Sequence, residues 1–288
     1  MFSIIIPTFN NIEYLKLCLK SLKKNSNYEH EIIIHINEGK DGTKAFLDTT
    51  DYKYTYSKNN AGVCVAFNEA VKKATKKYIV LAHDDMYFCP NWDVVFADEI
   101  KKYPENKDFF ISGTMVQPFE SYLEFNCGKT LKEFDEEKLL KNVNQLKFDD
   151  FQGTHWQPSL VPKSTWDKVG GFSEEFSPGL GSDPDFNMKL WKLGIRIFKG
   201  INDFKVYHFG SIVLRKKISK LSKKKYGSIG SKIFLIKWGI SIKFFKKFYL
   251  RSDEEFKNIL TEPNKNFIYY LGLIKCRITF YFHKLIKI

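Results

Sequence analysis

Two adjacent carboxylates, Asp84 and Asp85, stand at the end of the apolar run Ile79-Val80-Leu81-Ala82. A strand that is apolar throughout is covered on both faces, as in a parallel α/β sheet. Ligands of such sheets sit outside the carboxyl ends of the strands. Two acids there, with no basic neighbour in sequence, suit a divalent cation bridging to a phosphate, because magnesium is held by one or two carboxylates plus substrate phosphates. The same acids could instead open a turn and cap the next segment. Asp183 lies in the Gly- and Pro-rich stretch 177–184, just ahead of a helix expected from Asp185 with Phe186, Leu190 and Leu193 as its buried stripe. An Asp in that place is either the helix N-cap or a general base. His208 follows a short strand expected over 204–207. It could complete a cation's shell, bind a diphosphate or satisfy a loop carbonyl, although magnesium and manganese favour oxygen ligands.

These groups need a frame, and the first ninety residues supply its pattern. The β-branched segment Ser3-Ile4-Ile5-Ile6 is followed by Pro7, whose missing donor predicts that the strand ends there. Ile12, Leu15, Leu19 and Leu22 recur at helical spacing. A second strand over 31–36 runs into the polar loop 37–43, and a third over 52–57 runs into Asn59-Asn60-Ala61-Gly62. A helix is then expected from about Val63 to Ala74, before the strand that carries the acidic pair. Strands and helices alternating through short loops predict a parallel sheet with right-handed crossovers. All the polar loops follow strands and therefore collect along one edge.

In this order the residues resemble a family-two glycosyltransferase of the GT-A fold. Ser3 to Asn10 resembles that family's first strand, and Asn59-Asn60-Ala61-Gly62 to Asn68 its helix start. His83-Asp84-Asp85 stands where the family has its Asp-x-Asp metal motif. Val169-Gly170-Gly171-Phe172-Ser173-Glu174-Glu175-Phe176, Gly181-Ser182-Asp183-Pro184-Asp185-Phe186 and Val206-Tyr207-His208-Phe209-Gly210-Ser211 are similar to three later motifs. The resemblance covers roughly residues 1–211. It implies an α/β fold with a mostly parallel mixed sheet, a nucleotide-sugar donor, and a divalent cation, Mn2+ or Mg2+. It assigns Asp183 as general base, Asp85 as metal ligand with His208 at the metal or diphosphate, and Asp84 to the ribose or a supporting place. The donor-binding set it implies is Pro7, Thr8, Asn10, Asn37, Glu38, Asn59, Asn60, Gly62, Asn68, Asp84 and Asp85. His155, Trp156 and Asp185 would line the sugar and acceptor pocket. The aromatic face of Trp156 would suit a sugar, and the same residue beside Pro158 would also suit plain core packing. The chain departs from the pattern at His83, where the outer acid is missing, at Ser182 for the usual Glu, and at Asn37 for the usual Asp.

Such a transfer needs the leaving diphosphate stabilised as charge builds on it, and a base to take the acceptor's hydroxyl proton. The expected activity is therefore an inverting, metal-dependent transfer of a sugar to a glycan or lipid-linked acceptor. The alternatives are a catalytically silent binding or tethering protein on the same fold, or a nucleotidyltransferase. The second is disfavoured because Pro7-Thr8-Phe9-Asn10 is neither Gly-rich nor basic.

The five scattered cysteines of this 288-residue chain have no paired spacing, which excludes a zinc signature or disulfide framework and suits a reducing, cytoplasmic setting. The opening residues read as a sheet strand rather than a signal peptide, and no run reaches the length of a spanning helix. Charge divides the chain sharply. Residues 212–288 carry 19 Lys and Arg against 4 Asp and Glu, whereas residues 1–211 carry 27 against 29. We therefore expect a catalytic domain over 1–211 and a basic helical region over 212–288. The latter has two apolar stripes: Phe234, Leu235, Trp238, Ile242 and Phe245, then Phe267, Tyr270, Leu271, Ile274, Ile278 and Tyr281. Basic amphipathic helices of this kind suit an anionic membrane surface at the inner face of the membrane, unless the stripes pack on the catalytic domain. Nucleic acid is not an expected partner, because the first 211 residues offer no basic patch.

Overall fold

The computed structural model describes residues 1–119, 123–153, 157–210, 220–252, 254–257 and 259–285, the side chains of 220–228 and 285 excepted. Strands β1 (Ser3–Phe9), β2 (Glu31–Asn37) and β3 (Lys53–Ser57) are parallel neighbours, joined by helices α1 (Ile12–Asn25) and α2 (Thr43–Leu47). Helix α3 (Val63–Val71) then crosses to β4 (Tyr78–Leu81), which pairs with the other side of β1. The chain continues through β5 (Met86–Phe88), α4 (Trp92–Lys101), β6 (Phe110–Gln117), β7 (Leu123–Glu124), α5 (Glu136–Asn142), β8 (Phe151–Gln152) and β9 (Ser159–Pro162). Helices α6 (Lys163–Val169) and α7 (Ser182–Lys192) and the long β10 (Phe198–His208) follow. The sheet order is β3-β2-β1-β4-β9-β6-β10-β5, with β9 and β5 antiparallel to their neighbours. This is the mostly parallel mixed sheet of the expected α/β class.

Alternation along the strands builds two cores. Ile5, Ile33, Ile79 and Val161 face Phe67 of α3 and the α6–α7 layer, whereas Ile4, Ile6, Ile34 and Val80 face Leu15 of α1 and Phe96 of α4. Side chains of a strand alternate faces with period two, so a run such as Ile4-Ile5-Ile6 can serve both layers.

Three local expectations are corrected. Pro7 does not end β1, which stays paired with β2 as far as Phe9 and Asn37. Ala82 N–H donates to the Ile5 carbonyl, so the odd residues of β1 face β4. Pairing with β4 stops at Ile5 and Leu81, so Pro7 falls where no partner needs its N–H. Helix α7 begins at Ser182 with Gly181 as its cap, so Asp183 lies inside the first turn and is not an N-cap. Leu193 is exposed, beyond the buried pair Phe186 and Leu190.

Residues after 219 form α8 (Lys220–Trp238), α9 (Ile242–Phe245) with a π-helical turn over Lys246–Leu250, and α10 (Phe267–Leu285). They are packed onto the sheet layer. Phe234, Leu235, Phe244 and Phe245 are buried in one cluster with Phe67 and Phe186. Gly230 lets α8 lie against the backbone of the loop ahead of α7, since a Cβ there would sit 1.9 Å from the Leu180 carbonyl oxygen. The segment after α9 is held by main-chain bonds, from Gln152 N–H to the Glu254 carbonyl (2.7 Å) and from Phe256 N–H to that of Asp150 (2.7 Å). All five cysteines are buried, and none forms a disulfide.

Candidate active site

The sheet's order reverses between β1 and β4, since β1 leads to β2 and β3 on one side while β4 lies on the other. Such a switch point splays the connecting loops and opens a crevice at the strand ends. Thr8 and Asp84 meet in it, the threonine Oγ1 donating to Asp84 Oδ2 at 2.6 Å. Burial, reinforced by the negative charge of Asp85, pushes the Asp84 carboxyl up to about 7. A second, shorter closure brings His208 to Asp85. Strand β5 starts one residue after Asp85 and pairs antiparallel with β10, setting His208 opposite Met86. His208 Nε2 therefore lies 3.3 Å from Asp85 Oδ1, and Phe209 N–H donates to the Asp85 carbonyl at 3.2 Å. The other ring nitrogen, Nδ1, is 2.7 Å from the amide of Gln117 at the end of β6. That contact fixes the ring so that Nε2 faces the carboxylate.

The remaining strand-end loops line the same edge. Asn10 Nδ2 donates to Glu38 Oε2 at 2.6 Å, tying the end of β1 to that of β2. Asn37 Oδ1 accepts from Ala61 N–H at 3.1 Å, tying β2 to the loop after β3. Within that loop Asn60 accepts from Gly62 N–H at 2.9 Å, an Asx turn that sets the start of α3. Asn59 is exposed. Gly62, at φ +84°, is pressed against Ser177, where a Cβ would come within 2.8 Å of the hydroxyl. Asn68 is placed otherwise than among the donor-binding groups. Its amide bonds both the N–H (2.9 Å) and the carbonyl (2.9 Å) of Phe172, so it fastens α3 to the Gly171 turn.

Asp183 is tied to the acidic motif through Gln157, an uncharged side chain that no motif marks. Gln157 Nε2 donates to Asp183 Oδ1 at 2.8 Å, and Gln157 Oε1 lies 3.1 Å from His83 Nε2. His83 thus occupies the outer position of the acidic motif as a link to α7, and burial lowers its imidazole below the ordinary histidine range. Burial lifts the Asp183 carboxyl to about 6, against the Gln157 hydrogen bond and the charge of Lys246, which both pull it down. Lys246 belongs to the tail. Its influence could not be read from sequence, because the tail's lysines resemble one another and only the fold brings one of them near Asp183.

Asp185 corrects the acceptor-pocket expectation. It is fully buried, with Oδ2 accepting from Ser173 at 2.6 Å and Oδ1 accepting from Trp238 Nε1 at 2.8 Å. Lys237 Nζ is also 3.0 Å from Oδ1. Its carboxylate therefore anchors α8 to α7 and has no face left for an acceptor. His155 and Trp156 lie outside the described residues. Among the described residues no cluster of three or more His, Cys, Asp or Glu side chains forms a closed metal cage. Asp85 Oδ1 and His208 Nε2 would hold a divalent cation only together with diphosphate oxygens and water, and with the Gln117 amide turned so that its oxygen accepts a proton carried on His208 Nδ1.

With this geometry in view, the chain can be set beside known proteins. The sequence model of the family described as glycosyl transferase family 2 matches residues 3–152. An uncharacterized glycosyltransferase of Rickettsia prowazekii is 29% identical over 175 residues, covering 60% of this chain and 53% of that protein. Chondroitin synthase of Escherichia coli is 22% identical over 236 residues, covering 72% of this chain and 34% of the synthase. The crystal structure of S. aureus TarS in complex with UDP superposes with a TM-score of 0.54 at 17% identity, covering 81% of this chain and 71% of that one. The chain spans about half the length, or less, of these curated relatives.

Proposed function

The chain belongs to glycosyl transferase family 2, and from that premise we propose that it is an inverting glycosyltransferase that moves a sugar from a nucleotide diphosphate to a glycan or lipid-linked hydroxyl. The observation that carries the reading is the bridge from His83 through Gln157 to Asp183. It ties the Asp183 carboxyl, lifted to about 6, through Gln157 to His83, the neighbour of Asp84 and Asp85 in the acidic motif. Inversion needs one such base, because the acceptor oxygen displaces the diphosphate directly.

In this reading the diphosphate lies at the mouth between β1 and β4. Asp85 and His208 would hold the divalent cation, Mn2+ or Mg2+, which would supply positive charge to the leaving group. Asp84, fixed by Thr8, faces the ribose side, and the tied loops of Asn10, Asn37, Glu38, Asn59, Asn60 and Gly62 enclose the nucleoside. Gln157 occupies Asp183 Oδ1 and leaves Oδ2 to take the acceptor proton. A carboxyl at about 6 is largely ionised at neutral pH and is a stronger base than an ordinary aspartate. UDP-sugars are the first donors to test, because the similar TarS structure was solved with UDP.

The test is a calorimetric and thermal-shift screen of UDP-, GDP-, CMP- and dTDP-sugars, with and without manganese. The expected outcome is metal-dependent binding of one nucleotide class, with slow nucleotide release in the absence of acceptor. Binding of no nucleotide sugar in either condition would refute the proposal.

A further inference from the structure

Helix α10 has two opposite apolar faces, and among the described residues only one is covered. Tyr269, Gly272, Leu273, Cys276 and Phe280 turn inward, with Gly272 against the Phe244 ring and Cys276 beside Ser241. At 100° per residue the opposite face is a ridge of Phe267, Leu271, Ile274, Ile278, Tyr281 and Phe282. Every one is exposed, Phe267 by 75% and Ile278 by 65%. Five of these six belong to the stripe expected from sequence to meet either a membrane surface or the catalytic domain, and they are the ones left exposed.

The ridge is bordered by cations on both sides. Lys275 lies on one flank, and Arg277 and Lys284 on the other, all exposed. None of the 19 residues of α10 is acidic. Folded monomers seldom leave so continuous an apolar face in water. A face of large apolar side chains with Lys and Arg along its edges matches the boundary between acyl chains and anionic headgroups, with the long basic stems reaching up from the apolar layer. The helix, about 28 Å long at 1.5 Å per residue, lies along such a surface rather than through it. No described helix is long and apolar enough to cross a membrane. A second copy docking ridge to ridge would bring like-charged borders together with no acid on either helix to answer them.

We propose that the outward ridge of α10 is a membrane-contact surface that seats this protein on an anionic lipid bilayer. The covered face of the same helix packs on α8 and α9, whose Phe234 and Phe245 are buried in the cluster with Phe67 and Phe186, so the lipid surface and the crevice belong to one folded unit. The proposal stands apart from the transferase reading, because its readout is lipid binding and requires no activity.

Co-sedimentation of the full chain with phosphatidylcholine vesicles, with and without phosphatidylglycerol, tests it at low and high salt. The expected result is sedimentation with the anionic vesicles that fades as salt screens the charges. Lys275→Gln, Arg277→Gln and Lys284→Gln together should weaken the partition on the order of a hundredfold, at about fivefold for each basic residue. Ile274→Gln, Ile278→Gln and Phe282→Gln together should abolish it even at low salt. Both variants should keep the thermal midpoint of the unsubstituted chain, since all six side chains are exposed. Failure of the full chain to sediment with anionic vesicles at low salt would overturn the proposal. So would a ridge variant that binds lipid undiminished, or a ridge variant whose sole effect is to dissolve a dimer.

Discussion

Replacing Gln157 with Leu should move the acid limb of the pH–activity profile upward while leaving donor affinity in place. Asp183 must be ionised to accept a proton, so activity should rise with pH through its own titration, near 6 in the unsubstituted chain. Burial raises that value, and the 2.8 Å bond from Gln157 opposes it by stabilising the charged form. A hydrogen bond to a charged group contributes about 1.5–3 kcal/mol, and one pKa unit corresponds to about 1.36 kcal/mol. Removing the donor should therefore raise the limb by roughly one to two units. Leucine fills a similar volume, so the cavity cost is small. The assay is kcat/KM for nucleotide release across pH 5 to 9, with donor affinity measured in parallel by calorimetry. The sign follows from the group. A raised carboxyl loses the ionised form at neutral pH, so the variant should be slow at pH 7 and recover at pH 9. A limb that stays in place would show that Asp183 is not the titrating base or that Gln157 does not act on it. A uniform loss at every pH would refute the electrostatic account in favour of a purely steric one.

Lys246→Gln should move the same limb in the same direction, since the lysine's charge also favours the ionised form; an unmoved limb would place Lys246 too far away to matter. Asp183→Asn should leave donor binding near normal and cut turnover by about 10²–10⁴-fold, the usual range for a general base; a loss of only a few-fold would return Asp183 to a structural role. Asp85→Asn should remove the metal dependence of nucleotide binding seen by calorimetry, with the thermal midpoint preserved, and unchanged metal dependence would sink the ligand assignment. A chain ending at Ser211 should fail to fold rather than merely release lipid, which circular dichroism would report directly. It would leave the buried Asp185 without Trp238 and Lys237 and strip four buried residues, Phe234, Leu235, Phe244 and Phe245, from the core. Each Phe is worth about 3–5 kcal/mol, against a total stability of about 5–15 kcal/mol.

The strand-end chemistry was legible because it depends on order along the chain. An apolar run followed by Asp84-Asp85 states both the burial of β4 and the place where it stops. The α/β alternation then says at which edge the acids emerge. What could not be read is whatever depends on contacts between distant segments. Asp183 and Asp185 lie two positions apart in one helical turn with the same side chain. Only the docking of α8 decides that Asp185 is sealed under Trp238 while Asp183 stays open to Gln157. Gln157 itself carries no charge and no motif, so nothing in its local sequence marks it. On α10 a different limit applies: a helix apolar on two sides has a stripe whichever side is chosen, and periodicity does not say which is covered.

The tail's basic charge and its packing are one design, and they meet at α7. Gly230 brings α8 into contact with the loop that launches α7, and Lys237 and Trp238 close over Asp185 in its first turn. The next helical segment carries Lys246, whose charge acts on Asp183. An insertion or loosening in α8 would therefore reach the general base by two routes, by shifting the first turn of α7 and by withdrawing a cation. Both routes act on Asp183 and neither touches the Thr8–Asp84 or Asp85–His208 contacts. Gly230→Ala, which forces α8 off the Leu180 carbonyl, should accordingly lower turnover and displace its pH limb while nucleotide affinity holds. Equal losses in affinity and turnover would mean that the tail supports the whole crevice rather than the base alone.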